Sequence, residues 1–322
     1  MDLIYTNTAK EDIGVLKDYV FDLAFGTNEN DFECVIPDTE HCCEAGCFLY
    51  IEGTEYGGII DGIEVDTTAG EVKYFGRTWH GIMNSKILEP DAGEDYLVLS
   101  GDVNTVVPAL ITRMGLQSYF RMPVCQTSIE ISSYQMPRYI GGYDGMRKML
   151  KTHGAKLRLY FKKGYMYCEV LPLVDYSTDE QFDANSIELK IRRNNAPVNH
   201  VICLGKGELS NRVVRHLYTD SNGSIVTTQS LKGLAEVTAV YENTNAESTD
   251  ELLKGGKELL AEAWSSNDIE FDFLPDDESF DIGDIVGAKE QITGIEAKAE
   301  ICKKIVTIKN KRITIKYETG DK

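Results

Sequence analysis

At 322 residues the chain exceeds the size at which a single hydrophobic core keeps growing, so two or more packed units are expected. Lys and Arg number 33 against 52 Asp and Glu, and the net charge of −19 excludes whole-surface attraction to nucleic acid or anionic lipid. It leaves open an acidic wall that keeps DNA from sticking. The aromatic residues are dominated by 17 Tyr over 2 Trp, a balance that suits strands and half-wet interfaces more than a helical bundle.

No run approaches the roughly 18 apolar residues of a membrane span. The opening MDLIYTNTAKEDIG has neither a basic nor an apolar leader pattern, so a cytosolic origin is expected. Cys34, Cys42, Cys43, Cys47, Cys125, Cys168, Cys203 and Cys302 are scattered. In a reducing compartment they are expected to be thiols packed as small hydrophobes.

Residues 1–102 read as strands. In CFLYIEGTEYGGIIDGIEVD, alternation and turn glycines give short strands, and EVKYFGRTWHGIM continues as a strand with Trp79 and His80 on opposite faces. From 103 to 180 the pattern becomes α/β. Val107, Leu110, Ile111 and Met114 recur at helical spacing, and YDGMRKMLKTHG predicts a helix with Asp144 near its start and Gly154 at its stop. AKLRLYFKKGYMYCEVLP then alternates as a hairpin turning at Lys163-Gly164. Strands resume over 181–205, with SIELKIRR and VNHVICLG. A helix-containing insertion follows over 206–264, its helix opening on Ser248 and Glu251 and weakened by Gly255-Gly256. Residues 265–322 are all strand. Eight acidic and no basic residues lie between Ser265 and Ala288, whereas Lys298 to Lys316 holds seven basic residues and one acidic, which predicts two differently charged faces. The fold class is α+β, mainly β.

The candidate chemistry is thin. His41-Cys42-Cys43-Glu44-Ala45-Gly46-Cys47 offers soft ligands, but no second CxxC or HxxxH completes a tetrahedral set, and no metal is expected. His80 would suit acid–base work with Glu64, Asp66 or a remote Cys, yet a single hydrogen bond satisfies it. PDDESFDIGD lacks the calcium-loop ladder and reads as a turn with a Gly283-Asp284 corner. The basic run Arg147, Lys148, Lys151, Lys156, Arg158, Lys162 and Lys163 reads as solvated outer faces of a helix and a hairpin. Nucleophile elbows, P-loops and dinucleotide fingerprints are missing, so neither a catalytic site nor a cofactor is expected.

Three stretches carry a resemblance: TEYGGIIDGIEVD with YFGRTWHGIMNSKILEP; NHVICLGKGELSNRVVRHLYTDSNGSI; and YENTNAESTDELLKGGKELL followed by FDIGDIVGAKEQITGIEAKAEICKKIVTIKNKRITIKYETG. In this order they resemble the tail-hub family of tailed bacteriophages, which also forms the N-terminal module of tail-associated lysins and is similar in plan to contractile baseplate hubs. The resemblance implies a ring-shaped homotrimer, with two tube-type β-barrel domains per subunit. These would lie at 1–102 and at 181–205 with 265–322, flanking an α/β domain at 103–180 and the insertion at 206–264. Such a ring adapts a six-fold tail tube to a three-fold spike or fibre and forms part of the DNA channel during genome ejection. The implied partners are the distal tail or tail tube protein, the tape-measure protein, and a spike, fibre or baseplate wedge protein, in a virion tail tip assembled in the host cytoplasm. RTWHG then becomes a barrel strand.

Tail-associated lysins continue into a long peptidase or fibre region, and this sequence ends after the last barrel strand, so lytic activity is expected on another polypeptide. The rival readings are a cell-wall hydrolase or peptidase of the tail tip, and a carbohydrate-binding module using the many Tyr. For the channel wall the acidic candidates are Asp268, Glu270, Asp272, Asp276, Asp277 and Glu278, repelling DNA over a screening length of about 8 Å. Lys303, Lys304, Lys309, Lys311 and Arg312 are expected at subunit interfaces or outside.

Overall fold

The computed structural model describes residues 2–123, 128–178, 187–192, 196–246, 248–265, 268–273, 280–289 and 296–320. They fall into two units, one of residues 1–189 with 270–320 and one of residues 190–269.

In the first unit, alternating residues form β1 (Leu3–Thr6), β2 (Asp12–Leu16), β3 (Val20–Gly26), β4 (Asp31–Pro37), β5 (Phe48–Tyr50), β6 (Gly57–Asp66) and β7 (Glu71–Thr78). A short helix α1 (Trp79–Asn84) then leads to β8 (Ile87–Leu88), β9 (Leu97–Asp102), α2 (Val103–Arg113), β10 (Phe120–Arg121), β11 (Glu130–Met136), β12 (Ile140–Gly141) and α3 (Gly142–Lys151). The hairpin of β13 (Ala155–Lys162) and β14 (Tyr165–Pro172) turns at Lys163 and Gly164, both at positive φ, where the alternation placed it.

The remaining elements are β15 (Ile187–Arg192), β16 (His200–Leu204), β17 (Val214–Thr219), β18 (Ile225–Val226), β19 (Thr238–Glu242), α4 (Thr249–Ser265), β20 (Asp268–Phe273), β21 (Ile285–Lys289), β22 (Glu296–Lys309) and β23 (Arg312–Thr319). The expected mainly-β α+β class is found. Apart from β8, β9 and β16, however, the two sets of expected barrel strands share one sheet, in the order β15-β20-β23-β22-β3-β4-β7-β6-β5-β1-β2 with β21 on β22. The join is β3 against β22, antiparallel from Val20↔Lys309 to Gly26↔Lys303. The pairing lays the buried Phe21 and Leu23 of β3 beside the buried Ile308 and Val306 of β22, in a common core with Phe32, Ile36, Val72 and Tyr74. No closed barrel forms among the described residues.

A second core lies where α2, α3 and the β13–β14 hairpin meet. Val107, Leu110 and Ile111 from α2, Met146, Met149 and Leu150 from α3, and Leu157, Leu159, Phe161, Met166, Cys168 and Val170 from the hairpin are all buried. The helical spacing read in the sequence is therefore the core face. Asp102 caps α2, its carboxylate accepting from Asn104 N at 2.7 Å. Asp144 does not cap α3; it lies in the first turn and accepts from Asn84 Nδ2 at 3.1 Å.

The second unit is a four-stranded sheet, β18-β17-β16-β19, with α4 on one face. Its sheet includes β16, so the boundary expected at 205/206 falls inside it. Val201, Cys203 and Leu217 face α4 and share its core with Leu252 and Leu260. The expected weak point, Gly255-Gly256, is instead a contact surface. A Cβ at Gly255 would lie 2.1 Å from Tyr241 Oη, and one at Gly256 would lie 2.4 Å from Cys203 Sγ. The lower helix propensity is the cost of laying the helix close on the sheet.

Candidate functional site

The strand expected to run through RTWHG ends at Thr78. Thr78 takes extended backbone, its hydroxyl accepts from Gly81 N at 3.2 Å, and α1 begins at Trp79. Gly81 is required there, since a Cβ would meet the Asn30 carbonyl at 2.1 Å. Trp79 and His80 are thus both buried helical residues, not opposite faces of a strand. Arg77 stays on the strand and grips Asp61 through Nε and Nη2, at 2.8 and 2.7 Å. Those bonds hold the Asp61 carboxyl below the ordinary range.

His80 leads into a buried charge cluster. Its ring stacks on Phe25 at 4.3 Å and meets the edge of Tyr143, while Nε2 is 3.9 Å from Glu55 Oε2. Nδ1 has no hydrogen-bond partner. Glu55 Oε1 accepts from Lys304 Nζ at 2.6 Å, and Lys304 lies 3.6 Å from Asp281. Lys156 bonds both carboxylate oxygens of Asp284 at 2.7 Å and lies 2.8 Å from Asp281. Asp284 also accepts from the backbone N of Val174 and Asp281. Lys156, Asp284 and Lys304 are 5%, 0% and 2% exposed, so these charges depend on one another rather than on water.

The cluster opposes two ammoniums to three carboxylates. Burial opposes the charge of Lys304, but Glu55 and Asp281 outweigh it and keep the ammonium above its ordinary range. Burial would also raise Asp281, but Lys304 and Lys156 prevail and hold its carboxyl low. Glu55 bears the excess negative charge, and burial pushes its carboxyl up against the pull of Lys304. His80 is pushed down to about 3, by burial first and then by Lys304. A neutral imidazole sealed between aromatic rings binds nothing from solution. The arrangement clamps the turn before β6, α1, β13, the corner before β21 and β22 into one body.

The clamp corrects several expectations. Lys304 belongs neither to an interface nor to the outside. Lys156 belongs to no solvated face, and in the same basic run Arg147 bonds Thr27 Oγ1 at 2.8 Å while Lys151 pairs with Glu300 at 2.6 Å. Two of the eight acidic residues after Ser265, Asp281 and Asp284, are used internally.

In the His41–Cys47 loop the Tyr74 hydroxyl is the organiser. It meets His41 Nδ1 at 2.9 Å and accepts from the backbone N of Cys42 and Cys43. Cys42 is exposed, and its Sγ is 3.7 Å from that of Cys43, while Cys34, Cys43 and Cys47 are buried. Burial raises the thiols of Cys34 and Cys43, which suits packing rather than ligation. Among the described residues no group of three or more His, Cys, Asp or Glu side chains is arranged to hold a metal ion.

Three solved structures align with this architecture over almost the whole chain. A tail protein from Neisseria meningitidis matches with a TM-score of 0.52 at 13% identity, covering 99% of this chain and 96% of that one. Prophage tail protein gp18 from Listeria monocytogenes matches at 0.52 and 12%, covering 99% and 94%. The 43 kDa tail protein of prophage MuSo2 from Shewanella oneidensis matches at 0.53 and 10%, covering 99% and 98%. The chain has a phage tail-protein fold. No protein-family model and no curated protein sequence matches it.

In this tail-protein fold Asp268, Glu270 and Asp272 occupy alternate positions of β20, which pairs with β23 at Glu270↔Glu318 and Phe271↔Tyr317. Asp276, Asp277 and Glu278 lie outside the described residues. Of the basic candidates, Lys309, Lys311 and Arg312 are exposed around the β22–β23 turn. Lys303 pairs with Glu29 and Glu318.

Proposed function

We propose that the chain is the structural hub of a tail tip or baseplate, in a phage or phage-derived particle. In this reading three copies form a ring that joins the six-fold tail tube to a three-fold spike or fibre and surrounds part of the DNA channel. The observation that carries it is the end-to-end likeness to three phage tail proteins, with at least 94% of each neighbour covered. The distal tail or tube protein, the tape-measure protein and the spike, fibre or wedge protein are its partners, and DNA passes without specific binding.

The role is structural rather than catalytic. Of the two histidines the hydrolase reading would use, His80 is 1% exposed and sealed from substrate, while His41 is exposed with its Nδ1 2.9 Å from the Tyr74 hydroxyl. Purified protein added to peptidoglycan is expected to leave its turbidity unchanged; clearing would favour the hydrolase.

The acidic positions Asp268, Glu270 and Asp272 face the channel in this reading. Replacing all three with Lys is expected to leave assembly intact and to slow DNA ejection, with the defect relieved by salt. Ejection at wild-type speed in low salt would place the acidic wall elsewhere.

A further inference from the structure

The second unit carries a histidine pair that the tail reading does not use. Val201, Cys203 and Leu217 face α4, so by strand alternation His200, His216 and Tyr218 lie on the other face of the sheet. The register pairs His200 with Tyr218 and Ile202 with His216, which sets the two histidines diagonally across β16 and β17. Their nitrogens meet: His200 Nε2 is 2.8 Å from His216 Nδ1. On its other side His200 Nδ1 is 2.7 Å from Glu236 Oε1, with Thr238 Oγ1 at 3.2 Å. His200 is buried and Tyr218 lies over its ring at 4.6 Å, whereas His216 is exposed.

Glu236 assigns the protons. An ionised carboxylate can only accept, so the 2.7 Å contact has His200 donating its proton from Nδ1. The Nε2 lone pair of His200 then points at His216. This is the carboxylate–histidine pairing that orients metal-ligating imidazoles. Two imidazole nitrogens, each about 2.0–2.1 Å from one cation, are separated by roughly 3 Å, close to the spacing already present.

We propose that His200 Nε2 and His216 Nδ1 form a two-histidine site for a borderline divalent transition-metal ion such as Zn²⁺ or Cu²⁺, with Glu236 orienting His200. The ion takes the place of the proton between the rings. That proton passes to His216 Nε2, which faces solvent, so a neutral pair binds the ion without net proton release. Imidazole ligands select this class of ion over Ca²⁺ or Mg²⁺, and water completes the coordination. The site does not depend on the tail-hub reading.

The test is calorimetric titration of the full chain with Zn²⁺ at pH 8, in a Cys42→Ser background that removes the exposed thiol. One ion per chain is expected, with no dependence of the heat on buffer ionisation enthalpy. His216→Ala, at an exposed position, should abolish binding with circular dichroism unchanged, and Glu236→Gln should weaken it about 10–100-fold. Nitrogen-15 spectra should show the His216 proton moving from Nδ1 to Nε2 as Zn²⁺ is added. No binding at millimolar Zn²⁺, or binding that survives His216→Ala, would overturn the proposal.

Discussion

Lys304→Ala is expected to destabilise the first unit by about 3–5 kcal/mol, the cost of removing one partner from a buried ion pair. The substitution leaves Glu55 and Asp281 facing each other without the ammonium that holds both, and neither reaches water readily. Loss of the ammonium over the rings of Phe25 and Tyr317, 6.0 and 5.9 Å from their centroids, adds a cost in the same direction. The double variant Lys304→Met with Glu55→Gln removes both charges of the closest pair and keeps volume, so it should recover most of the loss. Denaturant unfolding of the three proteins measures this. A loss below about 1 kcal/mol for Lys304→Ala, in the range of an exposed pair, would mean that water reaches the cluster.

The second large effect is acid sensitivity, and its sign follows from His80. The folded protein holds this imidazole neutral down to about 3, while in the unfolded chain it takes up a proton near its ordinary value of 6.5. Between those limits the unfolded state binds more protons, so stability falls as pH falls, by about 1.4 kcal/mol for each pH unit. From pH 6.5 to 4.5 the wild type is expected to lose roughly 2–3 kcal/mol more than a His80→Gln variant, which has nothing to titrate there. Asp281, whose carboxyl is held low, adds a loss of the same sign only below its ordinary range. Equal pH slopes for wild type and variant would show that His80 is charged in the folded state.

Periodicity made much of this fold legible. The alternation in LRLYF and MYCEV specified the β13–β14 hairpin, and the spacing of Val107, Leu110 and Ile111 specified α2, because each pattern records which face a local element buries. The strand through RTWHG was misread because Thr78 and Gly81 act together as a helix start, a signal weaker than the alternation leading into it. The sharing of one sheet by the first and last strands has no local signature. The β3–β22 pairing joins residues almost 300 positions apart, and a strand's sequence does not name its neighbour.

The charge cluster was hidden for the same reason. Lys304 and Glu55 are 249 residues apart, and Lys156 and Asp284 are 128 apart. One clue lay in the sequence. In KKIVTI, Lys304 shares its strand face with Val306 and Ile308, both fully buried, and a lysine in register with core residues requires an internal partner. Net charge concealed this, since it treats as surface the very residues that bind the first unit together.

The hub reading is tested most directly by electron-microscope class averages of the isolated protein, alone and with its tail tube protein. The account predicts closed three-fold rings whose tube-facing side approaches six-fold symmetry. Particles that remain single copies at high concentration, with and without the tube protein, would contradict it.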